Sequence, residues 1–595
     1  MADKIRKRSE IPDKYKWRLS DIFADVAAWE AAYAEAEKVI AAFSAFDGKV
    51  AEDPKAAIRA YFEAEKHIIP IYCYASMLKD SDNGDTAAQA LEQKAIALLV
   101  KAQTASAFLE PELLAMDESK LVALSQESDM EDYSTFLKEM LLQKPHSLSK
   151  DQERLLAMMG EIAGAPDNIY SMLTNVDLKF PDITLTDGSK APLTEGTYSS
   201  FIHDDQRDVR RQAFEGLMGT YGKFGNTITG TYSASVKMDQ FMADARHFSS
   251  ARAAAMEPLQ IPESVYDNLI QVIHEYLPVL NEYLQLRKQV LAVDELHMYD
   301  LYCPMVKDFK MDMPYEKAFD LVLEGLAPMG EDYLAKLREA RDNGWIDVYP
   351  TENKTSGAYS NGFRGGAHPF VLLNHNDNLD SAFTIAHELG HSMHSYFSNL
   401  TQPFPEADYS LFVAEVASTC NEAVMMRYLL EKLPEKKAQA YLLNHFLEQF
   451  RTTCFRQTMF AEFEKISHEM AAKGEPLTRE SLSKAYYKLN ETYYGETCVV
   501  DEVIANEWMR IPHFYRAFYV YVYATGLCAA VSLSEKILTE GESAVKDYRK
   551  FLSAGSSVPP IEALKLAGID MSSPEPIRKA MEVFKATLEK FKAVL

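Results

Sequence analysis

The sequence predicts a mainly α-helical body in more than one lobe, with a small β-sheet placed directly before one particular helix. Three observations carry this. Ala/Glu/Leu-rich stretches at helical spacing, such as Ala27-Ala28-Trp29-Glu30-Ala31-Ala32-Tyr33 and Leu91 to Leu109, run almost unbroken from Val26 to about Met172. The same periodicity returns from Asp208 to about Ala292 and again from Leu379 to the C-terminus, leaving only two β-like islands. At 595 residues the chain is also too long for one hydrophobic core, so two or three lobes are expected.

Taken in order, residues 1–120 read as an N-terminal helical lobe. Residues 121–200 add a helical segment and a β-hairpin junction, where short alternating runs flank the Asp187-Gly188 turn signal. Residues 201–595 form the remaining body. Its β-rich island spans roughly Met298 to Leu373 and includes Trp345-Ile346-Asp347-Val348-Tyr349 and Pro369-Phe370-Val371-Leu372-Leu373. The helical remainder is interrupted near Thr401 to Asp408, at Gly474 and at Val558-Pro559-Pro560. No internal repeat is present.

Composition narrows the partners. A hydrophobic fraction of 47% beside 25% charge describes a folded globular chain. The net charge of −26 argues against nucleic acid and anionic membranes, both of which need a cationic surface. The basic start, Met1 to Arg8, is followed by no apolar core, and the six scattered cysteines include no Cys-x-x-Cys. A cytoplasmic protein without a membrane span is therefore expected. The most apolar stretch, Leu411 to Leu430, still carries Glu415, Asn421, Glu422 and Arg427.

One segment carries chemistry. His387-Glu388-Leu389-Gly390-His391 lies in a helix that Asn378 or Asp380 can cap and that runs to about Phe397. At about 100° per residue the two histidines fall within roughly 40° of each other, opposite an apolar stripe of Ala382, Ile385, Leu389, Met393 and Tyr396. Side chains four apart sit about 5–6 Å apart at Cβ, so one zinc ion can bridge both imidazoles. His274-Glu275 and His468-Glu469 have Pro278 and Ala472 where a second histidine would stand, and are read as ordinary positions.

His394 shares the histidine face but stands about 10 Å along the axis from His387, too far to ligate with it. It is assigned a supporting or substrate-facing role. Glu415, alone in the apolar run Leu411 to Ser418, is the expected third ligand, because a carboxylate buried there unpaired would be costly. Glu422 is placed behind the ligands, accepting the free N–H of a ligand histidine.

Two imidazoles and one carboxylate give a single zinc ion, one per chain, an open fourth position. Glu388 borders the ligand face as general base toward water, and amide hydrolysis is the reaction expected. Substrate contacts are sought in two segments. The run from His513 to Gly526 holds His513, Tyr515, Tyr519, Tyr521 and Tyr523, whose phenols can donate to an oxyanion or to substrate carbonyls. The glycine-rich run from Gly357 through Tyr359 to His368 leads into Phe370 to Leu373, where an edge strand would bind peptide backbone.

These segments resemble the oligoendopeptidase F family, within the thimet-oligopeptidase-like zinc metallopeptidases. The likeness is carried by Ile11-Pro12-Asp13-Lys14-Tyr15-Lys16-Trp17, Ser356-Gly357-Ala358-Tyr359-Ser360, His368-Pro369-Phe370-Val371-Leu372-Leu373-Asn374 and Phe383 to Phe397. Phe412-Val413-Ala414-Glu415-Val416-Ala417-Ser418 and the stretch Ile511 to Gly526 complete it. The resemblance implies a two-lobed helical body enclosing a deep channel that admits oligopeptides. It further implies His387, His391 and Glu415 as zinc ligands, Glu388 as base, and His513 with tyrosines of 515–523 as substrate contacts.

Two other readings fit the same motif: a zinc carboxypeptidase, and a non-catalytic peptide-binding protein. The aminopeptidase segment Gly-x-Met-Glu-Asn is missing, which favours internal cleavage. A binding protein would be expected to have lost Glu388 or a ligand, and all four residues are intact.

Overall fold

The computed structural model describes residues 5–307, 309 and 311–595, leaving aside the side chains of residues 150 and 161. Met1 to Lys4 of the basic start lie outside the described residues. Helices dominate, and the seven strands among the described residues are only two or three residues long, in line with the mainly α expectation. No helix among the described residues is long and apolar enough to cross a membrane. Packing divides the chain into two discontinuous units, Met1–Ser147 with Lys310–Lys432 and Ala529–Asp570, and Leu148–Phe309 with Leu433–Cys528 and Met571–Leu595.

In the first unit, helices Val26–Ser44, Pro54–Ser81 and Thr86–Ser106 each begin at an aspartate. Asp25, Asp53 and Asp85 accept the otherwise unpaired N–H groups of Ala28, Ala56 and Ala87. The three helices close around fully buried Trp29, whose indole N–H donates to the Ile71 carbonyl at 2.9 Å. Their core continues into Phe370 and Leu372 of a three-stranded sheet. In that sheet Phe370–Leu372 is central, parallel to Ile346–Asp347 and antiparallel to Tyr359–Asn361. Lys354 has no exposed side-chain surface and clips the sheet together, its ammonium pairing with Asp347 at 2.7 Å and donating to the Tyr349 carbonyl at 2.8 Å.

Two expectations need correction. Phe370–Leu372 is not an edge; the edge beside it is Tyr359–Asn361. The stretch from Met298 to Leu373 is not β-rich, because helices Tyr315–Gly325 and Glu331–Asp342 fill its middle. Both segments are rich in the helix formers Glu, Lys, Leu and Ala, with Tyr315, Ala318, Phe319 and Val322 buried at helical spacing, and the β-like runs lie only beyond them, at residues 345–349 and 370–373.

The second unit contains the expected hairpin, Ile183–Thr184 with Lys190–Ala191, turning at Gly188 with φ +83°. A near-continuous rod runs from Lys436–Gln449 through a π-helical turn, Phe450–Phe455, into Arg456–Ala472. Charged side chains pair along it, with Arg287 and Arg451 fully buried and Glu448 and Arg456 partly exposed. Glu448 takes both Arg287, at 2.6 Å, and Arg451, at 2.7 Å, while Arg456 meets Glu507 at 2.7 Å. All six cysteines are buried and free.

Candidate metal centre and substrate contacts

The motif helix, Leu379–Thr401, opens with the Asn378 side chain accepting from the Ser381 N–H and extends a turn beyond its expected end. Ala382, Ile385, Leu389 and Met393 are all buried, which anchors the stripe opposite the histidines. Against it packs the helix Leu411–Lys432. Gly390 makes the close approach possible: a Cβ there would stand 2.5 Å from Ser418 Cα and 2.6 Å from the Ala417 oxygen. Asn421 fixes the register, donating to the Ala386 carbonyl at 3.0 Å while accepting from the Tyr333 hydroxyl at 3.0 Å.

This crossing brings three predicted residues to one point. Glu415 Oε2 lies 3.4 Å from His387 Nε2 and 3.5 Å from His391 Nε2. The donor atoms of all three lie within 4.8 Å of one another. Donors at about 2.0–2.2 Å from one tetrahedral zinc ion stand about 3.4 Å apart. The donor set and its spacing therefore fit a divalent ion of that kind. Behind it, His387 Nδ1 meets Glu422 Oε1 at 2.5 Å, and the Ser418 hydroxyl donates to Glu415 Oε2 at 2.9 Å.

Electrostatics follow from this geometry. Burial opposes a charged His387, but the Glu415 and Glu422 carboxylates outweigh it and push the imidazole up to about 10. Burial works against the Glu415 carboxylate, yet hydrogen bonds from His387 and His391 hold it well below the usual range. Without a metal the cluster thus holds a proton on His387 beside the two carboxylates, and a divalent cation is the natural competitor for it. Burial raises Glu388, which is only 6% exposed. Such a shift moves a carboxylate toward the range useful for proton transfer.

Glu415 is not the buried lone carboxylate that its apolar surroundings suggest, although it does converge with the two histidines. Its side chain is 40% exposed, while Phe412, Val413, Val416 and Ala417 point into the core. Glu415 occupies the polar side of its helix, opposite the histidines. His394 stands apart from the cluster, buried and stacked on Tyr409 with centroids 3.7 Å apart and on Phe551 at 4.9 Å. Burial lowers it to about 3, so it stays neutral. Ser418, which donates to Glu415, and Tyr409, which stacks on His394, carry no sequence signal beyond proximity to the motif.

The other predicted residues divide by surroundings. Gly357, at φ +83°, offers its carbonyl to Asn374, and the Tyr359 hydroxyl donates to Asp80 at 2.8 Å. His368 is stacked on Trp345 and hydrogen-bonded to Asp21, so its ring is held by protein partners. The edge strand Tyr359–Asn361 lies against the motif helix, with Ser360 Oγ 2.9 Å from Ser392 Oγ.

In the second unit Tyr515 is stacked on Tyr170 and bonded to Thr231, and Tyr521 is buried against Tyr266. His513 Nε2 instead meets the Tyr523 hydroxyl at 3.2 Å, and its ring lies parallel to Tyr519. Between them Phe518 adopts φ +51°, a strained left-handed turn whose N–H donates to Glu464 at 2.7 Å. Glu464 and its turn were missed, since neither leaves a sequence pattern. The pairs at His274 and His468 are engaged with Glu462 and Asp239, consistent with ordinary positions.

Two histidines and a glutamate presented by a crossed helix pair, with a further carboxylate on the same turn as the first histidine, define a metal-dependent hydrolase of the metallopeptidase type. Comparison with known proteins narrows this further. Peptidase family M3 matches residues 200–583, and Oligopeptidase F matches residues 112–180. The chain is 44% identical to oligopeptidase PepF of Bacillus subtilis, over 100% of this chain and 89% of that one. It is 38% identical to the group B oligopeptidase PepB of Streptococcus agalactiae, over 98% of this chain and 97% of that one.

Among solved structures, oligoendopeptidase-F from Enterococcus faecium superposes with a TM-score of 0.74 at 36% identity, covering 95% of this chain and 98% of its own. A chain from Chlamydophila abortus superposes at 0.93 with 30% identity, covering 100% of both. The protein belongs to peptidase family M3, among the oligopeptidase F proteins, and is a metallo-oligopeptidase.

Proposed function

We propose that this chain is a zinc-dependent endopeptidase that cuts internal bonds of short oligopeptides in the cytoplasm. His387, His391 and Glu415 hold the ion, and Glu388 is the general base. The observation that carries the reading is the pair of donor separations, 3.4 and 3.5 Å, from one Glu415 oxygen to both imidazoles. When bound, zinc supplies Lewis acidity toward the substrate carbonyl and makes water more acidic.

The remaining work falls to the protein. Glu388 takes a proton from the attacking water and passes it to the leaving amine, a step its raised proton affinity favours. Glu422 keeps the Nδ1 proton of His387 in place, so Nε2 faces the ligand position. The edge strand Tyr359–Asn361 has the backbone geometry to pair with an extended peptide. In the second unit, His513, Tyr519 and Tyr523 are the side chains we assign to contacts with substrate carbonyls.

The test uses metal content and peptide cleavage together. The purified protein is expected to hold one zinc per chain, to lose activity to chelator, and to cut peptides blocked at both ends. Glu388→Gln should lower kcat by about 10²–10⁴-fold with zinc content unchanged. Cleavage confined to free C-termini would establish a carboxypeptidase instead. Full activity in Glu388→Gln, or absence of zinc from the active protein, would overturn the mechanism.

A further inference from the structure

The second unit encloses a cavity of about 20 Å³ that plays no part in peptide hydrolysis as read above. That is room for a single water or a single monatomic ion. Its polar lining comes from Tyr198, Tyr302, Arg451, Arg456, Asn490 and Tyr494, with Glu507 at one side.

Charge is unbalanced around this cavity. Arg451, carried on the π-helical turn, is completely buried and shares Glu448 with the equally buried Arg287. Arg456 pairs with Glu507, whose second oxygen already takes the Tyr486 hydroxyl at 2.5 Å. Three guanidinium groups, two of them fully buried and Arg456 partly exposed, therefore face two carboxylates, leaving one positive charge over beside the cavity in a chain whose net charge is −26. An uncompensated buried charge is destabilising by several kcal/mol, so a compensating anion has a large advantage there.

Hydrogen-bonding capacity is unbalanced in the same direction. Guanidinium groups only donate, and each phenol of Tyr198, Tyr302 and Tyr494 has a proton to give. Burial pushes Tyr198 and Tyr494 up, so both stay protonated. The available acceptor is Asn490 Oδ1, buried and without a partner among the described residues. A small cavity rich in donors and walled by cations suits an anion better than a neutral water.

We propose that this cavity binds one halide-sized monovalent anion, chloride in the cell, between Arg451, Arg456 and the tyrosine hydroxyls. The ion acts as an interior brace. Glu507 belongs to the 3₁₀ helix Glu502–Arg510, which runs straight into Pro512–Tyr515 and His513. Filling the cavity therefore steadies the base of that segment. The proposal does not depend on which residues hydrolyse peptides.

The full-length protein is melted in sodium chloride, sodium bromide and sodium gluconate at equal ionic strength, and crystals grown in bromide are measured for anomalous scattering. The expected result is a saturable rise in Tm of about 2–5 °C with either halide over gluconate, and one bromide peak in the cavity. Tyr494→Phe, which keeps the ring and the fold, should weaken halide binding about tenfold. Arg451→Met should abolish it, and if that variant does not fold the tyrosine variant decides. Equal melting in halide and gluconate without a bromide peak would mean a water fills the cavity and would sink the proposal. A halide shift unchanged in Tyr494→Phe, with no bromide peak, would be a general salt effect and would sink it equally.

Discussion

The metal centre of the first unit and the arginine-lined cavity of the second are opposite solutions to burying charge. Around the centre, Glu388, Glu415 and Glu422 surround two imidazoles, an acidic excess that calls for a divalent cation. Around the cavity, Arg287, Arg451 and Arg456 outnumber Glu448 and Glu507, an excess of the other sign. The difference teaches that overall charge is a poor guide to what a protein's interior will bind. At −26 the chain announces neither site.

The contrast can be sharpened by changing groups that support each centre. In the segment at His513 the expected effect is largest. Tyr523→Phe should lower kcat/KM by about 10²-fold, as expected for a phenol that donates to substrate in the transition state. Tyr521→Phe, on a buried ring, should leave kinetics near wild type and change only thermal stability. If the two variants behave alike, the division of that segment into core and substrate-facing tyrosines fails.

At the metal centre the next effect is expected. Glu422→Gln should weaken zinc binding by about 10–100-fold, read by competition with a chelating dye, because His387 loses a charged partner. Unchanged affinity would show that the imidazole needs no such support.

The third effect is on stability against pH. Burial pushes Glu464 up to about 8 against the opposing pull of His468, with Asp239, Tyr232 and Tyr266 also facing it. The folded protein then holds a proton that the unfolded chain, with a carboxyl near 4.5, has already released. Glu464 thus contributes stability that is complete below about pH 4.5 and lost as pH rises toward 8, with a slope of at most about 1.4 kcal/mol per unit. Denaturant titrations of Glu464→Gln across pH 5–8 should show a flatter profile than wild type. An identical slope in both proteins would place the titration elsewhere.

Sequence legibility followed interaction range. His387 and His391 were readable because four residues on a helix is a local spacing, and the opposing stripe from Ala382 to Met393 confirmed the face. Burial singles out Glu415 in the sequence, but its side chain is 40% exposed, and the close crossing at Gly390 is what sets it beside the histidines. The order of strands around Phe370–Leu372 depends on pairing across distant segments and was not readable. The Phe518 turn and the π-helical turn at Arg451 were equally hidden, since each departs from the regular periods that sequence patterns report. The helices inside Met298 to Leu373 carry both a helical period and helix-forming residues and are readable, but the short β-like runs beyond them at Trp345 and Phe370 dominate that stretch.

The glycine between the two histidines has a consequence for how the centre comes into being. All three proposed ligands lie within 29 successive residues, on two neighbouring helices joined by a connection of about ten residues, and they meet where those helices touch backbone to backbone. Ligand convergence therefore depends on one short hairpin of chain rather than on the assembly of distant segments, and short-range contacts form quickly. A nascent chain emerging from the ribosome would own a nearly finished chelator soon after residue 432 appears. Stripping the ion from the mature protein should accordingly leave the helices crossed and ready to be refilled.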